Sequence, residues 1–202
     1  MSKGSVFILS GPSGCGKDTI LQEVFKKCPN LKFSISSITR AMRENEKEGE
    51  KYNFVSKEHF EKMLADNELL EYNVYVGNYY GTPKTPVLKA TENGNDIVIE
   101  VDVNGAAQIR SNLEDTVSIF ILPPSIDELR KRLSARGTET EETIEKRISS
   151  AYDEIKRSVE YDYIVVNDKL EDAVNDVITI IRSQKFRLVN NKTTIEEVLK
   201  KC

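Results

Sequence analysis

The stretch Val6-Phe7-Ile8-Leu9-Ser10-Gly11-Pro12-Ser13-Gly14-Cys15-Gly16-Lys17-Asp18-Thr19 decides the fold. A short apolar run closed by a glycine-rich turn reads as a buried strand. Gly11, four further residues and then Gly16-Lys17 have the spacing of a phosphate-binding loop. Glycines let backbone N–H groups turn inward without Cβ clashes, and the helix that follows aims its positive end at phosphates. Lys17 adds a point charge for the β- and γ-phosphates. The motif asks for Ser or Thr after the lysine, as a magnesium ligand, and the chain has Asp18, with Thr19 one step later. Asp18 could reach the metal directly, reach it through water or take no part. A fully negative group beside triphosphate favours the water-mediated role. Cys15 is read as a tolerated loop position.

Outward from this loop the chain alternates strands and helices. The loop opens a helix over about Lys17–Lys27, ended by Pro29-Asn30. Asp96–Val101, Thr116–Leu122 and Asp162–Val166 read as further buried strands, and Lys32–Ser36 as a fifth. Ser56 caps a helix that turns Phe60, Met63 and Leu64 inward. Ser125, with Glu128 three residues on, has capping-box spacing. Thr140 starts a long charged helix to about Arg157, and Leu170 to about Arg182 packs Val174, Val177, Ile178 and Ile181 on one face. This alternation implies an α/β fold, a parallel sheet with helices on both faces. Residues 37–90 hold too many short aromatic pieces for a simple crossover, and residues 134–141 form a polar break. The tail from Thr194 has an amphipathic pattern but is read as a frayed terminus.

Composition narrows the function classes. The 202 residues carry 39% hydrophobic and 31% charged residues, enough for one domain with its own core. The formal charge of −4 argues against nucleic acid or an anionic membrane as partner, so any bound anion needs a local cation cluster. Three cysteines without a C-x-x-C pair argue against a disulfide framework and for a reducing cytoplasm. One histidine, His59, argues against Cys/His zinc sites and a Ser-His-Asp triad. Apolar runs stay below the roughly 18 to 20 residues of a membrane span.

The second informative stretch is S-I-S-S-I-T-R-A-M-R-E-N-E-K-E-G-E-K-Y-N-F-V, from Ser34 to Val55. Beyond it lie Glu71, then G-N-Y-Y-G-T from Gly77 to Thr82, then Glu100 and Asp102. Two arginines and two tyrosines can hold a phosphate dianion. Carboxylates suit guanine, which offers both N1–H and a 2-amino group on one edge. With Thr39-Arg40, Arg43, Glu46, Gly49, Tyr52 and Phe54, this stretch resembles the signature of the guanylate kinases, ATP:GMP phosphotransferases. Ile38 departs from it, standing where threonine is usual. The resemblance covers about residues 4–185, through the closing V-V-N-D.

The resemblance implies a P-loop nucleoside monophosphate kinase-like parallel sheet flanked by helices, with an inserted mixed strand/helix GMP-binding segment and a short lid. It divides residues 1–190 into a core of about 1–36, 83–133 and 158–190, a GMP-binding segment of about 37–82 and a lid of about 134–157, with a tail at 191–202. It implies that Arg40, Arg43, Tyr52 and Tyr80 hold the GMP phosphate, and that Ser36, Glu71, Thr82 and Asp102 read the guanine. ATP binding falls to Gly11, Pro12, Ser13, Gly14, Cys15, Gly16, Lys17, Asp18 and Thr19, with Asn167 at the adenine. Lys17, Arg136 and Arg147 would be catalytic, and Asp18 would meet the metal through water. The co-substrate is ATP with Mg²⁺, in purine nucleotide metabolism. The partners are small nucleotides, with monomer and homo-oligomer both open. Three rivals remain: a kinase for AMP or UMP, a catalytically dead guanylate-kinase-like binding module, and a P-loop GTPase. Paired carboxylates oppose the first, an intact phosphate loop the second, and the lack of an N-K-x-D element the third.

Overall fold

The computed structural model describes residues 3–135 and 140–200. Strand β1 (Val6–Ser10) is buried along its whole length and leads into helix α1 (Lys17–Lys27). It pairs in parallel with β7 (Ile97–Glu100) on one side and β8 (Thr116–Leu122) on the other. With β2 (Lys32–Phe33) and β9 (Tyr163–Val166) at the edges, the order is β2-β7-β1-β8-β9, the parallel sheet expected from the alternation.

Side chains alternate along β1, so the sheet has two dry faces. Phe7 and Leu9 pack with Ile20 and Val24 of α1 and with Val174, Val177 and Ile181 of α7 (Leu170–Ser183). Val6 and Ile8 pack against Val87 of α3 (Lys84–Glu92) and Ala106 and Ile109 of α4 (Val103–Asn112). Burying each larger aliphatic side chain contributes about 1.5–3 kcal/mol, so these two faces hold the sheet in place.

A second sheet, β4-β3-β6-β5, carries the inserted segment. Its strands are β3 (Ser36–Ile38), β4 (Tyr52–Phe54), β5 (Leu69–Tyr75) and β6 (Asn78–Pro83). β3 runs parallel to β4 and antiparallel to β6. Helix α2 (Lys57–Ala65) covers it with Phe60 and Met63, and the Ser56 hydroxyl accepts from the His59 N–H at 3.1 Å as expected. Helices α5 (Ile126–Ser134) and α6 (Glu141–Lys156) pack together through Leu129, Leu133, Ile144 and Ile148. The Ser125 and Thr140 side chains cap these helices.

Three readings need correction. Lys32–Ser36 is not one strand: the Ser34 N–H makes the last bond to the core sheet, at the Val98 carbonyl, and Ser36 already pairs with Tyr52 in the other sheet. The sequence pattern does not mark helices α3 and α4. Pro86 looks like a helix breaker but sits in the first turn of α3, where an N–H has no partner to lose. Helix α4 is rich in weak formers, and tertiary packing of Gly105, Ala106 and Ile109 overrides propensity. The tail is helical from Leu188 to Leu199, as α8, rather than frayed. Asn190 and Asn191, which read as a break, donate their amides to the Gln184, Lys185 and Arg187 carbonyls.

Candidate active site

The phosphate loop is built by three left-handed or near-forbidden glycines, Gly11, Gly14 and Gly16, at φ 149°, 90° and 96°. A Cβ on Gly11 would lie 2.3 Å from the Ile121 carbonyl oxygen, and one on Gly16 2.4 Å from the Asn167 side-chain nitrogen. Both positions are therefore closed to side chains. Lys17 folds back over the loop and donates from Nζ to the Gly11 carbonyl at 2.6 Å and the Pro12 carbonyl at 3.3 Å. Asn167, buried at the end of β9, donates from Nδ2 to the Cys15 carbonyl at 2.8 Å and braces the loop from below. The Cys15 thiol is buried, and burial pushes its pKa up, which suits a packing role.

A cleft of about 260 Å³ opens between this loop and the second sheet. Ser13 and Lys17 line it from the loop, Ser36 and Tyr52 from the inserted segment, and Asp102 and Glu154 from α4 and α6. Arg147, on the same face of α6 as Glu154, donates to the Ser13 hydroxyl. Helix α6 thus brings both a cation and a carboxylate toward the loop.

Next to the cleft, the second sheet carries a cluster of charged and aromatic side chains around Arg40 and Tyr52. Arg40 makes a two-pronged bond to Glu46, at 2.7 and 2.5 Å. Its guanidinium lies 5.4 Å from the Tyr52 ring centre and 5.7 Å from that of Phe54, within cation–π range. The bond to Arg40 holds the Glu46 carboxyl near pKa 2, and the Glu46 and Tyr80 contacts push the Arg40 value up. Arg40 Nε is buried without a hydrogen-bond partner among the described residues. Arg43 is exposed, and its backbone N–H binds Glu46 at 2.9 Å.

Glu71, on β5, is 6% exposed and accepts from the Thr82 hydroxyl of β6 at 2.6 Å. Burial pushes its carboxyl up to about 7, Asp102 adds to the rise and the Thr82 hydroxyl opposes it. Asp102 caps α4: one oxygen accepts from the Asn104 and Gly105 N–H groups at 2.9 and 2.8 Å. Its other oxygen accepts from Asn73 Nδ2 at 2.8 Å. Gly105 leaves room for Glu71, since a Cβ there would stand 3.0 Å from Glu71 Oε2.

Of the residues expected from sequence, the phosphate loop and Asn167 form one group, Arg40, Tyr52 and Tyr80 a second, and Glu71, Thr82 and Asp102 a third. Arg43 and Thr19 stand exposed at the edge. Arg136 lies outside the described residues. Sequence reasoning assigned no role to Glu46, Lys51, Asn73, Glu100 or Glu154. Glu154 was findable, because Arg147, Ala151 and Glu154 fall at helical spacing on one face. Lys51 pairs with Asp18 and, at 3.2 Å, with Glu100. Burial works against its charge, but Glu100 and Asp18 outweigh it and raise its pKa.

A phosphate loop on the central strand of a parallel sheet, with a second mixed sheet and the α5–α6 helix pair beside it, is the arrangement of a P-loop kinase of small nucleotides. The family model for guanylate kinase matches residues 3–184. The guanylate kinase of Clostridium tetani is 46% identical over 195 residues, covering 96% of this chain and 93% of that protein. That of Carboxydothermus hydrogenoformans is also 46% identical, over 97% of each chain. The solved guanylate kinase of Anaplasma phagocytophilum superposes with a TM-score of 0.76 at 32% identity, over 94% of this chain and 90% of that one. The chain belongs to the guanylate kinase family.

Proposed function

We propose that this protein transfers the γ-phosphoryl group of ATP to GMP, giving ADP and GDP, as an enzyme of purine nucleotide metabolism. The observation that carries the reading is the single cleft joining Lys17 and Ser13 of the phosphate loop to Ser36, Tyr52 and Asp102 of the acceptor side. Two phosphate-bearing ligands can meet there.

Residues Gly11 to Thr19 bind the ATP phosphates, with Asn167 at the adenine. Arg40, Arg43, Tyr52 and Tyr80 hold the GMP phosphate, and the unpartnered Arg40 Nε suits an anion there. Ser36, Glu71, Thr82 and Asp102 read the guanine. A GMP phosphate oxygen is already ionised at neutral pH, so no dedicated base is needed. Catalysis is then alignment of donor and acceptor plus charge neutralisation by Lys17, Arg147 and Arg136. Lys17 leaves the loop carbonyls for the transferring phosphoryl group. The flap carrying Arg147 excludes water.

Asp18 follows Lys17 directly and Glu100 lines the cleft with it, and both carboxylates face the Lys51 ammonium. This set fits a magnesium ion arriving with the triphosphate, which Asp18 would meet through water. When bound, such an ion neutralises charge on the β- and γ-phosphates. The chain is read as one domain, with the core, acceptor segment, lid and tail divided as above, working in the cytoplasm on small nucleotides. No described helix is long and apolar enough to cross a membrane.

The test is ADP release with ATP plus GMP, AMP, UMP or CMP. GMP is expected to exceed AMP by roughly 10⁴-fold, because a site built to hydrogen-bond a group rejects an analogue lacking it. Equal rates with AMP and GMP would remove the guanine-reading roles, and no turnover with any acceptor would favour a binding module.

A further inference from the structure

The phosphate loop departs from its motif at Asp18, and the structure supplies the partner of that departure. Lys51 lies 33 residues away, in the acceptor segment just before β4. Its ammonium sits between Asp18, in the first turn of α1, and Glu100, at the end of β7. Three elements therefore meet on one cation: the helix after the phosphate loop, the core sheet and the acceptor sheet.

Charge explains why the two positions belong together. A carboxylate at 18 places a second negative group near Glu100 and near the site for triphosphate. Like charges at neighbouring positions repel one another. One ammonium between the two acids cancels that repulsion. The Asp18 side chain is 66% exposed, so its pair with Lys51 would contribute little by itself. The Glu100 side chain is only 13% exposed, and its charge needs a fixed counter-ion.

The position of Lys51 makes the contact more than a neutralising one. Its neighbour Tyr52 shares the cleft with Lys17, and Arg40 rests over the Tyr52 ring. Pinning Lys51 to α1 and β7 sets how far Tyr52 and Arg40 stand from the phosphate loop. Hence we infer that Lys51 is a positioning residue, an ionic latch that holds the acceptor segment against the phosphate loop, with Asp18 and Glu100 as its two anchors. The inference rests on the reading of this segment as the GMP site.

The test is a double-mutant cycle on GMP binding, measured by calorimetry without ATP or magnesium, alongside steady-state kinetics. Lys51→Met is expected to weaken GMP binding and raise its KM about tenfold, with kcat within about threefold, since the latch orders the ground-state site. Lys51→Arg keeps the charge and restores affinity to within about twofold of wild type. Asp18→Asn alone costs about threefold, because Glu100 still holds the lysine. In the double variant Asp18→Asn/Lys51→Met the two losses are non-additive. Thermal melts separate these effects from loss of fold, and Asp18→Asn carries the test if Lys51→Met does not fold. Unchanged GMP affinity in Lys51→Met, additive losses, or failure of Lys51→Arg to rescue overturns the latch. Unchanged affinity in Asp18→Asn, where that variant alone can be read, does the same. If wild type itself neither binds nor phosphorylates GMP, it is the proposed function that falls.

Discussion

Glu71 gives the sharpest prediction, because its environment sets both a binding preference and a stability cost. It is 6% exposed, holds the Thr82 hydroxyl at 2.6 Å and has its carboxyl pushed up to about 7. Guanine N1–H and the 2-amino group, which Glu71 is proposed to read, are donors, and the carboxylate accepts from them better than the neutral acid, whose hydroxyl is itself a donor. GMP binding is then expected to displace the proton. With a pKa of about 7 the free site is about 90% protonated at pH 6 and about 10% at pH 8. An affinity limited by the competent fraction therefore rises about tenfold between those pH values. The GMP phosphate, with a second pKa near 6, adds a smaller trend of its own, and Glu71→Gln removes only the protein's share.

Calorimetry in two buffers of different ionisation heat reads the proton directly. At pH 7 about half a proton is expected to leave Glu71 per GMP bound, and none from this group in Glu71→Gln. The variant should also bind GMP about 10- to 100-fold more weakly, the loss of a hydrogen bond to a charged group. Stability moves the other way. Glu71 is an acid whose folded pKa lies above its unfolded value near 4.5, so its contribution is fully present below 4.5 and is lost as the pH rises through about 7. The loss approaches about 3 kcal/mol at pH 8, so Glu71→Gln should melt above wild type at pH 8 and near it at pH 5. No proton release beyond the phosphate's share at pH 7, or the same pH slope in both proteins, would refute the reasoning.

Two further predictions follow from the loop and the phosphate pocket. Lys17→Ala should lower kcat by roughly 10²–10³-fold or more while GMP binding stays within about threefold, because the role proposed for Lys17 is on the transferring group; near-normal turnover would remove its assignment. Glu46→Gln loosens the two-pronged hold on Arg40 and should raise the GMP KM about fivefold. The Glu46 carboxyl, held near pKa 2, is depressed, so the pair's contribution is present above about 4.5 and is lost only as the pH falls toward 2; KM profiles from pH 8 to 5 should show no step from this pair.

What the sequence reveals divides by how local the chemistry is. The phosphate loop is contiguous: strand, glycines, lysine and helix follow one another, and β1 and α1 begin and end where the apolar run and the Pro29-Asn30 break put them. β8 and the caps at Ser56, Ser125 and Thr140 are equally local. The residues proposed to hold GMP are spread from Ser36 to Asp102, and their order is legible only through resemblance to a family. The split of Lys32–Ser36 and the helices α3 and α4 were hidden because tertiary contacts, not local periodicity, decide them. Asp102 illustrates the limit. Sequence marks a carboxylate at a strand end, but its capping of α4 and its bond to Asn73 need the second sheet folded against the first. Asp18 shows the converse. A charge standing where the motif asks for a hydroxyl is visible from sequence, and charge balance demands a cation nearby. Nothing in spacing or periodicity points to Lys51, because the two meet only when the acceptor sheet closes on α1. A motif violation thus locates the place where compensation must be sought, and the fold names the residue that provides it.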